Sequence, residues 1–509
     1  MEYLMGIDIG TTGVKIVVID IEGNLKGTHT VEYPLITPRP GWAEQNPNDW
    51  WNATIKCIKE IIEKLKIKGE EIKGIGLTGQ MHGSVFLDIN YNVIYPAILW
   101  CDQRTYEECN DINEIVGKDR IFEITCNPVL TGFQAPKILW LRKNKPEIYK
   151  KVRKILLPKD YIRFCLISEF ATDVSDASGT SLFDVRNRKW SEEILEKLNI
   201  PEDFLPKVYE GTEITGYIKK DVAKLTGLFE KTPVIAGGGD QAAGGVGNGI
   251  VEEGNVSVTI GTSGVVFAHS EKVIVDPKGR LHTFCHAVPG KWHLMGVMLS
   301  AGGSFRWLRD NLCEEEKKEG KRKKKDPYEI MTEKAKSIPI GSEGLIFLPY
   351  LTGERCPYPD PNARGVFFGL SLKHTKAHII RSVMEGITFG LRDSIEIMKE
   401  INLPLGEKFI ASGGGGKSDF WCQMIADIFG KNIVRLTSQE GAPFGAAILA
   451  GVGTGIYKNV KSACKTILKE KDLFRFETNN FKTYEKFYRI YKELYQKLKN
   501  SFDNLAKIL

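Results

Sequence analysis

The chain carries one glycine–threonine hairpin twice, as MGIDIGTTGVKIVVID at residues 5–20 and as SVTIGTSGVVFAH at residues 257–269. Each copy reads as an apolar strand, a Gly-Thr-Thr/Ser-Gly turn and a second apolar strand. Glycines let backbone N–H groups come close to an anion, and the hydroxyls add further donors. One copy alone reads more readily as a plain glycine turn. Two copies, one in each half, predict two related domains gripping one polyphosphate from opposite sides. The copies are not equivalent. The first has Asp8 before its glycine and Lys15 after it, where the second has Thr259 and Val266. Asp8 can hold Mg²⁺, since hard cations prefer oxygen ligands, and Lys15 offers a positive charge to a phosphate. The turn is not a P-loop, because no Gly-x-x-x-x-Gly-Lys-Ser/Thr lies near it.

A chain of 509 residues is too long for one ordinary core and suits two large domains. The apolar content of 42% and charged content of 26% are those of a soluble globular protein. A net charge of +6 is small for this length and gives no warrant for nucleic-acid binding. The basic run Lys317–Lys325 follows Glu314, Glu315 and Glu316, so residues 314–326 read as a solvated charged loop. Ten cysteines without a Cys-x-x-Cys pair suit a reducing cytoplasm. No signal peptide is expected at the N-terminus, and no apolar run is long enough to span a bilayer.

Strands and helices alternate in both halves, which predicts an α/β class. Residues 5–20 and 25–33 form a strand meander. Asn46 then caps a helix with Pro47 in its first turn, and Trp51, Ile55, Ile58, Ile62 and Leu65 mark its apolar face. Strands follow at 72–77 and 85–87, and residues 132–141 turn into a helix. A short strand at 233–236 ends in three glycines, and the first domain closes near residue 250. The second half repeats the plan. Its hairpin is followed by strands near 281–286 and 292–297 and a helix from Gly302. Strands at 344–348 and 365–368 precede a long helix over 375–399. A strand–glycine turn–helix unit at 409–430 and an amphipathic helix over 481–506 complete the chain. Beyond the hairpin the halves share no visible identity.

Three further segments carry chemistry. In PVIAGGGDQAAGG (233–245) a buried strand presents Asp240 at a helix start. A carboxylate there is either a common N-cap or a general base for a substrate hydroxyl. GQMHGSVFLD (79–88) puts Met81 and His82 on a short loop, where a histidine either packs or hydrogen-bonds a sugar. No zinc spacing accompanies it. Gly413–Gly416 either covers the face of an adenine or makes a tight strand-to-helix turn. It lacks the Rossmann pattern.

Together these segments resemble the FGGY carbohydrate kinases, and within them the xylulokinase branch. The resemblance runs through DIGTTGVK, PGWAEQNPNDWW, GQMHGSVFLD, GFQAPKILWL, LLPKDYIRF, GGGDQAAGG, TIGTSG, LPYLTGERCPYPDPNARGVFFGL and SGGGGKSDFW, in the family's order. It implies two actin-like ATPase (ribonuclease-H-like) domains with a catalytic cleft between them. Residues 1–250 would bring the sugar site and base, and residues 251–509 the nucleotide site and the C-terminal helix. It implies ATP-dependent phosphorylation of D-xylulose to D-xylulose 5-phosphate, with Asp240 as general base and Asp8 on Mg²⁺. Met81, His82 and Gln241 would contact sugar. Thr11, Thr12, Lys15, Gly261, Thr262, Gly302, Gly414 and Ser418 would bind ATP. A cytoplasmic enzyme, a homodimer as in similar kinases, and no membrane or nucleic-acid partner complete the expectation. Many similar xylulokinases have Asn after this Asp, whereas Gln241 is the residue of glycerol kinases, so another ketose or polyol such as ribulose or glycerol is the near alternative. An Hsp70- or actin-like nucleotide switch is the distant one, lacking a sugar loop and a base like Asp240. Cys356 in the GERCP segment is atypical and carries no assigned role.

Overall fold

The computed structural model describes residues 1–438 and 440–508. The two hairpins each open a sheet. In the first, Tyr3–Ile9 (β1), Gly13–Asp20 (β2) and Leu25–Glu32 (β3) form an antiparallel meander. Ile72–Gly79 (β4) joins β1 in parallel and Pro233–Gly239 (β5) joins β4 in parallel. The order is β5-β4-β1-β2-β3, with an edge strand Ile214–Tyr217 beside β5. In the second sheet Gly254–Ile260 (β6), Gly264–Ser270 (β7) and Trp292–Met298 (β8) repeat the meander. Leu405–Gly413 (β9) and Asn432–Leu436 (β10) repeat the two parallel strands. The order is β8-β7-β6-β9-β10, extended at its edges by His282–Cys285 and Glu470–Phe474. The same ribonuclease-H-like topology thus occurs twice, although only the hairpins look alike in sequence.

The hairpin strands are apolar along nearly their whole length because both faces of the sheet are covered. On one face Met5, Ile7, Ile9, Val14, Ile16 and Val18 pack against helix Pro47–Leu65 (α1). Asn46 caps α1 as expected, its side chain accepting the Asn48 N–H at 3.1 Å. The buried face is Trp50, Ala53, Thr54, Cys57, Ile58 and Ile61. Of the five residues expected there, only Ile58 is fully buried. The face turned to the sheet is centred on Trp50, Cys57 and Ile61, and Trp51, Ile55, Ile62 and Leu65 flank it, half-buried.

The other face belongs to a segment from far down the chain. Leu4, Val17 and Ile19 pack against Phe444, Ala447 and Ile448. Helix Asp240–Gly247 (α2) leads out of the first sheet, and a second helix, Ala442–Gly453, returns from the second sheet to cross it. The two crossing helices touch backbone to backbone. A Cβ on Gly445 would lie 1.8 Å from the Ala243 carbonyl oxygen. Residues 442–467 therefore cover the first sheet although the chain has by then completed the second.

In the second half, helix Gly302–Leu312 (α3) follows β8. Residues 314–326, expected as a loop, are mostly helical: Glu314–Lys323 (α4) packs against Pro327–Lys336 (α5). The reason is charge order. Three glutamates open α4 and Lys321, Arg322 and Lys323 close it, which complements the helix dipole. Lys317–Glu314 and Lys323–Glu319 pairs, each 2.6 Å, bridge successive turns. Glu316 is buried and ion-paired with Lys334 at 2.6 Å. The long helix Lys376–Glu400 (α6) lies in the core, Asp419–Phe429 (α7) follows β9, and Thr478–Ile508 ends the described chain.

Candidate active site between two strand-edge clusters

Parallel strands β1, β4 and β5 end at the same sheet edge. Asp8 sits opposite Thr78, and Gly239 opposite Gly79, so Asp240 follows one residue beyond the ladder. Two strand spacings separate the backbones that carry the two carboxylates, about 10 Å. Both residues are half-buried. Burial pushes Asp8 up to about 7, helped by the charge of Asp240 and opposed by Lys15 on the adjacent strand. One Asp8 carboxylate oxygen is buried without a hydrogen-bond partner. Burial raises Asp240 to about 6, against hydrogen bonds from the backbone and side chain of Gln241. Asp240 is not the helix cap. Gly239 holds the cap position and α2 begins at Asp240, so the carboxylate is not spent on a cap hydrogen bond.

The rest of the first turn divides between the cleft and the scaffold. Thr12 is exposed. The Thr11 hydroxyl accepts from the Trp100 indole N–H at 3.0 Å and donates to Gln80 at 3.3 Å. Lys15 pairs with Glu440 at 2.5 Å, just ahead of the returning helix. In the second turn Thr259, the counterpart of Asp8, is tied to Ser412 at 2.7 Å. That is the structural form of the asymmetry between the two copies.

Gly261, Thr262, Gly302, Gly414 and Ser418 line one cavity of about 740 Å³. The N–H groups of Gly302 and Gly303 donate to the carbonyls of Gly261 and Thr262 at 2.9 Å, clasping the β6–β7 turn to the start of α3. A Cβ on Gly302 would meet the Gly261 oxygen at 2.3 Å, so no larger residue fits. Ser418 caps α7, its side chain accepting from the Trp421 N–H at 3.3 Å. The cavity also draws on Phe305, Tyr328, Trp421 and charged residues of 325–336, which sequence reasoning had left without a role.

Met81 and His82 lie on the first-sheet side. His82 has a left-handed backbone (φ 68°) and its ring stacks on Phe133 with centroids 4.6 Å apart. Its Nδ1 is 2.7 Å from the Gly179 carbonyl. A carbonyl only accepts, so Nδ1 carries the proton and Nε2 remains an acceptor. Burial, then the charges of Lys137 and Arg355, lower His82 to about 3, so the ring is neutral. Met81 is buried, and its Cγ would lie 2.9 Å from a Cβ on Gly239, which places the loop against the strand that delivers Asp240. Two further residues shape this corner. Buried Lys137 donates to the carbonyls of His82 (2.8 Å) and Gly132 (2.6 Å), and burial lowers it to about 7. Arg355 comes from the second half, on a loop where Glu354 accepts from the N–H groups of Leu299 (2.9 Å) and Arg355 (2.7 Å). The segments GFQAPK and GERCP were visible in the sequence, but nothing local shows what either cation faces.

Residues 3–247 match the FGGY family of carbohydrate kinases, N-terminal domain, and residues 256–454 match its C-terminal domain. The chain is 37% identical to the xylulose kinase of Bacillus subtilis, over 98% of each chain. It is 40% identical to that of Lactococcus lactis, over 97% of each. It superposes on the crystal structure of ligand-bound xylulose kinase from Lactobacillus acidophilus with a TM-score of 0.91 at 29% identity, over 99% of this chain and 100% of that one. The twin sheets, the paired turns and these matches along both halves agree: the chain belongs to the FGGY family of carbohydrate kinases.

Proposed function

We propose that this sugar kinase transfers the γ-phosphoryl group of ATP to the terminal hydroxyl of D-xylulose, giving D-xylulose 5-phosphate and ADP. The observation that carries the reading is the abutment of the Met81–His82 loop on Gly239, immediately before Asp240. It sets the free acceptor of His82 beside the strand that delivers the Asp240 carboxylate. The xylulose kinases among the relatives support the choice of ketose.

Asp240, raised only to about 6, is mostly ionised at neutral pH and still basic enough to take a proton. It accepts the proton of the sugar's terminal hydroxyl. That oxygen forms a bond to the γ-phosphorus while the bond from phosphorus to the bridging oxygen of ADP breaks. The proton on Asp240 then returns to solvent. His82 Nε2 accepts from a sugar hydroxyl, and Gln241 steadies both the base and the sugar. Thr11, Thr12, Lys15, Gly261, Thr262, Gly302, Gly414 and Ser418 bind the nucleotide, with residues 1–250 and 251–509 closing on it. Asp8 fits Mg²⁺, since it keeps a buried oxygen without a hydrogen-bond partner and the charge of Asp240 raises its pKa, a repulsion that a cation relieves. Bound there, the metal would neutralise charge on the phosphates. No helix among the described residues is long and apolar enough to cross a membrane. We place the enzyme in the cytoplasm as a homodimer, a location that its ten unpaired cysteines suit. A coupled ADP-release assay over D-xylulose, D-ribulose, D-gluconate, aldoses and glycerol tests the assignment. The highest kcat/KM belongs to D-xylulose, and a preference for any other acceptor overturns it.

A further inference from the structure

Strand β5 delivers Asp240, yet its last three residues are glycines and its pairing with β4 shifts register between Ile235 and Gly238. The ladder that should hold the base is therefore interrupted at Ala236 and Gly237 and resumes only for the two residues before it. A fully buried polar cluster takes over. The Arg163 guanidinium donates to the carbonyls of Ile235 (2.6 Å) and Ala236 (2.5 Å). The Gly239 N–H donates to the Ser175 hydroxyl oxygen at 3.0 Å. The Ser175 hydroxyl itself donates to an Asp173 carboxylate oxygen, which also accepts the Ser175 N–H at 2.8 Å. The other Asp173 oxygen meets Lys159 Nζ at 2.7 Å, and the same ammonium contacts Asp160 (2.7 Å) and Asp176 (3.1 Å). Lys159, Asp160, Arg163, Asp173, Ser175 and Asp176 all have zero exposure.

Burying so many charges costs several kcal/mol per ion before pairing, and a packed apolar core would often be as stable. What ions supply here and an apolar core does not is direction. A carboxylate only accepts, so Asp173 accepts the Ser175 O–H hydrogen bond and turns the serine lone pair onto the Gly239 N–H. The residue held by that bond is the one preceding Asp240.

We propose that Lys159, Asp173 and Ser175 form a positioning relay that holds the tip of β5, and with it the Asp240 carboxylate, in register with the substrate hydroxyl. The inference rests on the reading of Asp240 as the base. Ser175→Ala breaks the relay at one atom and leaves every charge in place. A misplacement of about 1 Å costs on the order of a hundredfold in rate. The expected result is a fall in kcat of about ten- to a hundredfold, with KM for D-xylulose and for ATP each within about twofold of the original. Ser178→Ala is the control. It removes an equally buried hydroxyl of the same segment, bonded to the Cys285 N–H (3.1 Å) and the Val174 carbonyl (2.7 Å), which does not touch β5. It should keep the original kcat. If Ser175→Ala does not fold, Ser175→Cys, with nearly the same shape and a far weaker acceptor, is read by the same criteria. An unchanged kcat at position 175, a loss shared equally by position 178, or an effect confined to KM overturns the relay. Asp240→Asn is measured beside them. If it retains turnover, the base assignment fails. If it is inactive while Ser175→Ala is normal, only the relay fails.

Discussion

Gly445→Ala is a substitution on which two physical effects disagree in sign. Gly445 is helical, and helix propensity alone favours alanine over glycine by about 0.8–1 kcal/mol. Packing says the opposite. The new Cβ would stand 1.8 Å from the Ala243 carbonyl oxygen and 2.8 Å from the Gly247 nitrogen, both main-chain atoms of the facing helix α2. Neither can swing aside as a side-chain tip would. A carbon–oxygen contact needs about 3.2 Å, so the crossing helices must part by roughly 1.4 Å. Overpacking of this kind costs about 1–3 kcal/mol and sometimes more, and the immovable backbone puts this site at the upper end. The net expectation is a loss of about 2 kcal/mol or more. Because α2 begins at Asp240, the displacement also moves the proposed base. Urea unfolding of both proteins, with kcat measured in parallel, reads both effects. A lower midpoint with depressed kcat agrees with the crossing. A variant as stable as the parent, or more stable, refutes the backbone contact between the two helices.

His82→Ala should raise KM for D-xylulose about tenfold, the worth of one hydrogen bond of about 1–1.5 kcal/mol, with KM for ATP nearly unchanged; equal effects on both constants would remove His82 from the sugar corner. Glu440→Gln frees Lys15 from its 2.5 Å pair, and because both side chains are partly exposed the change is modest. KM for ATP should fall about two- to threefold if Lys15 serves the phosphates, and a rise would contradict that role. Burial holds His293, fully enclosed in the second sheet, down at about 3 against 6.5 for a free histidine. The folded chain then binds fewer protons than the unfolded one between those values. Stability is full above about pH 6.5 and declines below it, by about 2 kcal/mol at pH 5 from this residue alone. His282 and His286 are depressed in the same direction by burial. Urea midpoints equal at pH 7.5 and pH 5 would exclude buried neutral histidines.

What the sequence revealed follows the range of the interactions involved. The hairpins were legible because an antiparallel meander is local and its glycine turn has its own chemistry. The helix Ala442–Gly453 was not recognised as a partner of β1, because apolar residues all round it show burial without naming what buries it. Its contacts lie more than 400 residues away, in Leu4 and Val17. The segment 314–323 was read by composition as a loop, whereas the order of its charges makes it a helix. At the site, Asp8, Asp240, Met81 and His82 stood out because each closes a glycine-marked strand end or turn. Lys137, Ser175 and Arg355 did not. Lys137 acts on the carbonyl of His82, 55 residues away, and Ser175 acts on the N–H of Gly239, 64 residues away. Such contacts to backbone leave no pattern in the side chains on either side.

On the proposed mechanism Asp240 accepts a proton from the terminal hydroxyl of D-xylulose as ATP phosphorylates it. Phosphorus NMR of a mixture of ATP, Mg²⁺, D-xylulose and enzyme reads the product directly, with nucleotide binding followed by calorimetry. The parent enzyme should generate ADP and a 5-phosphomonoester in equal amounts. Asp240→Asn should bind ATP as before and form ester at a rate lower by about 10²–10⁴. Ester formation by Asp240→Asn at the parent rate, or ADP released without ester by the parent enzyme, would contradict it.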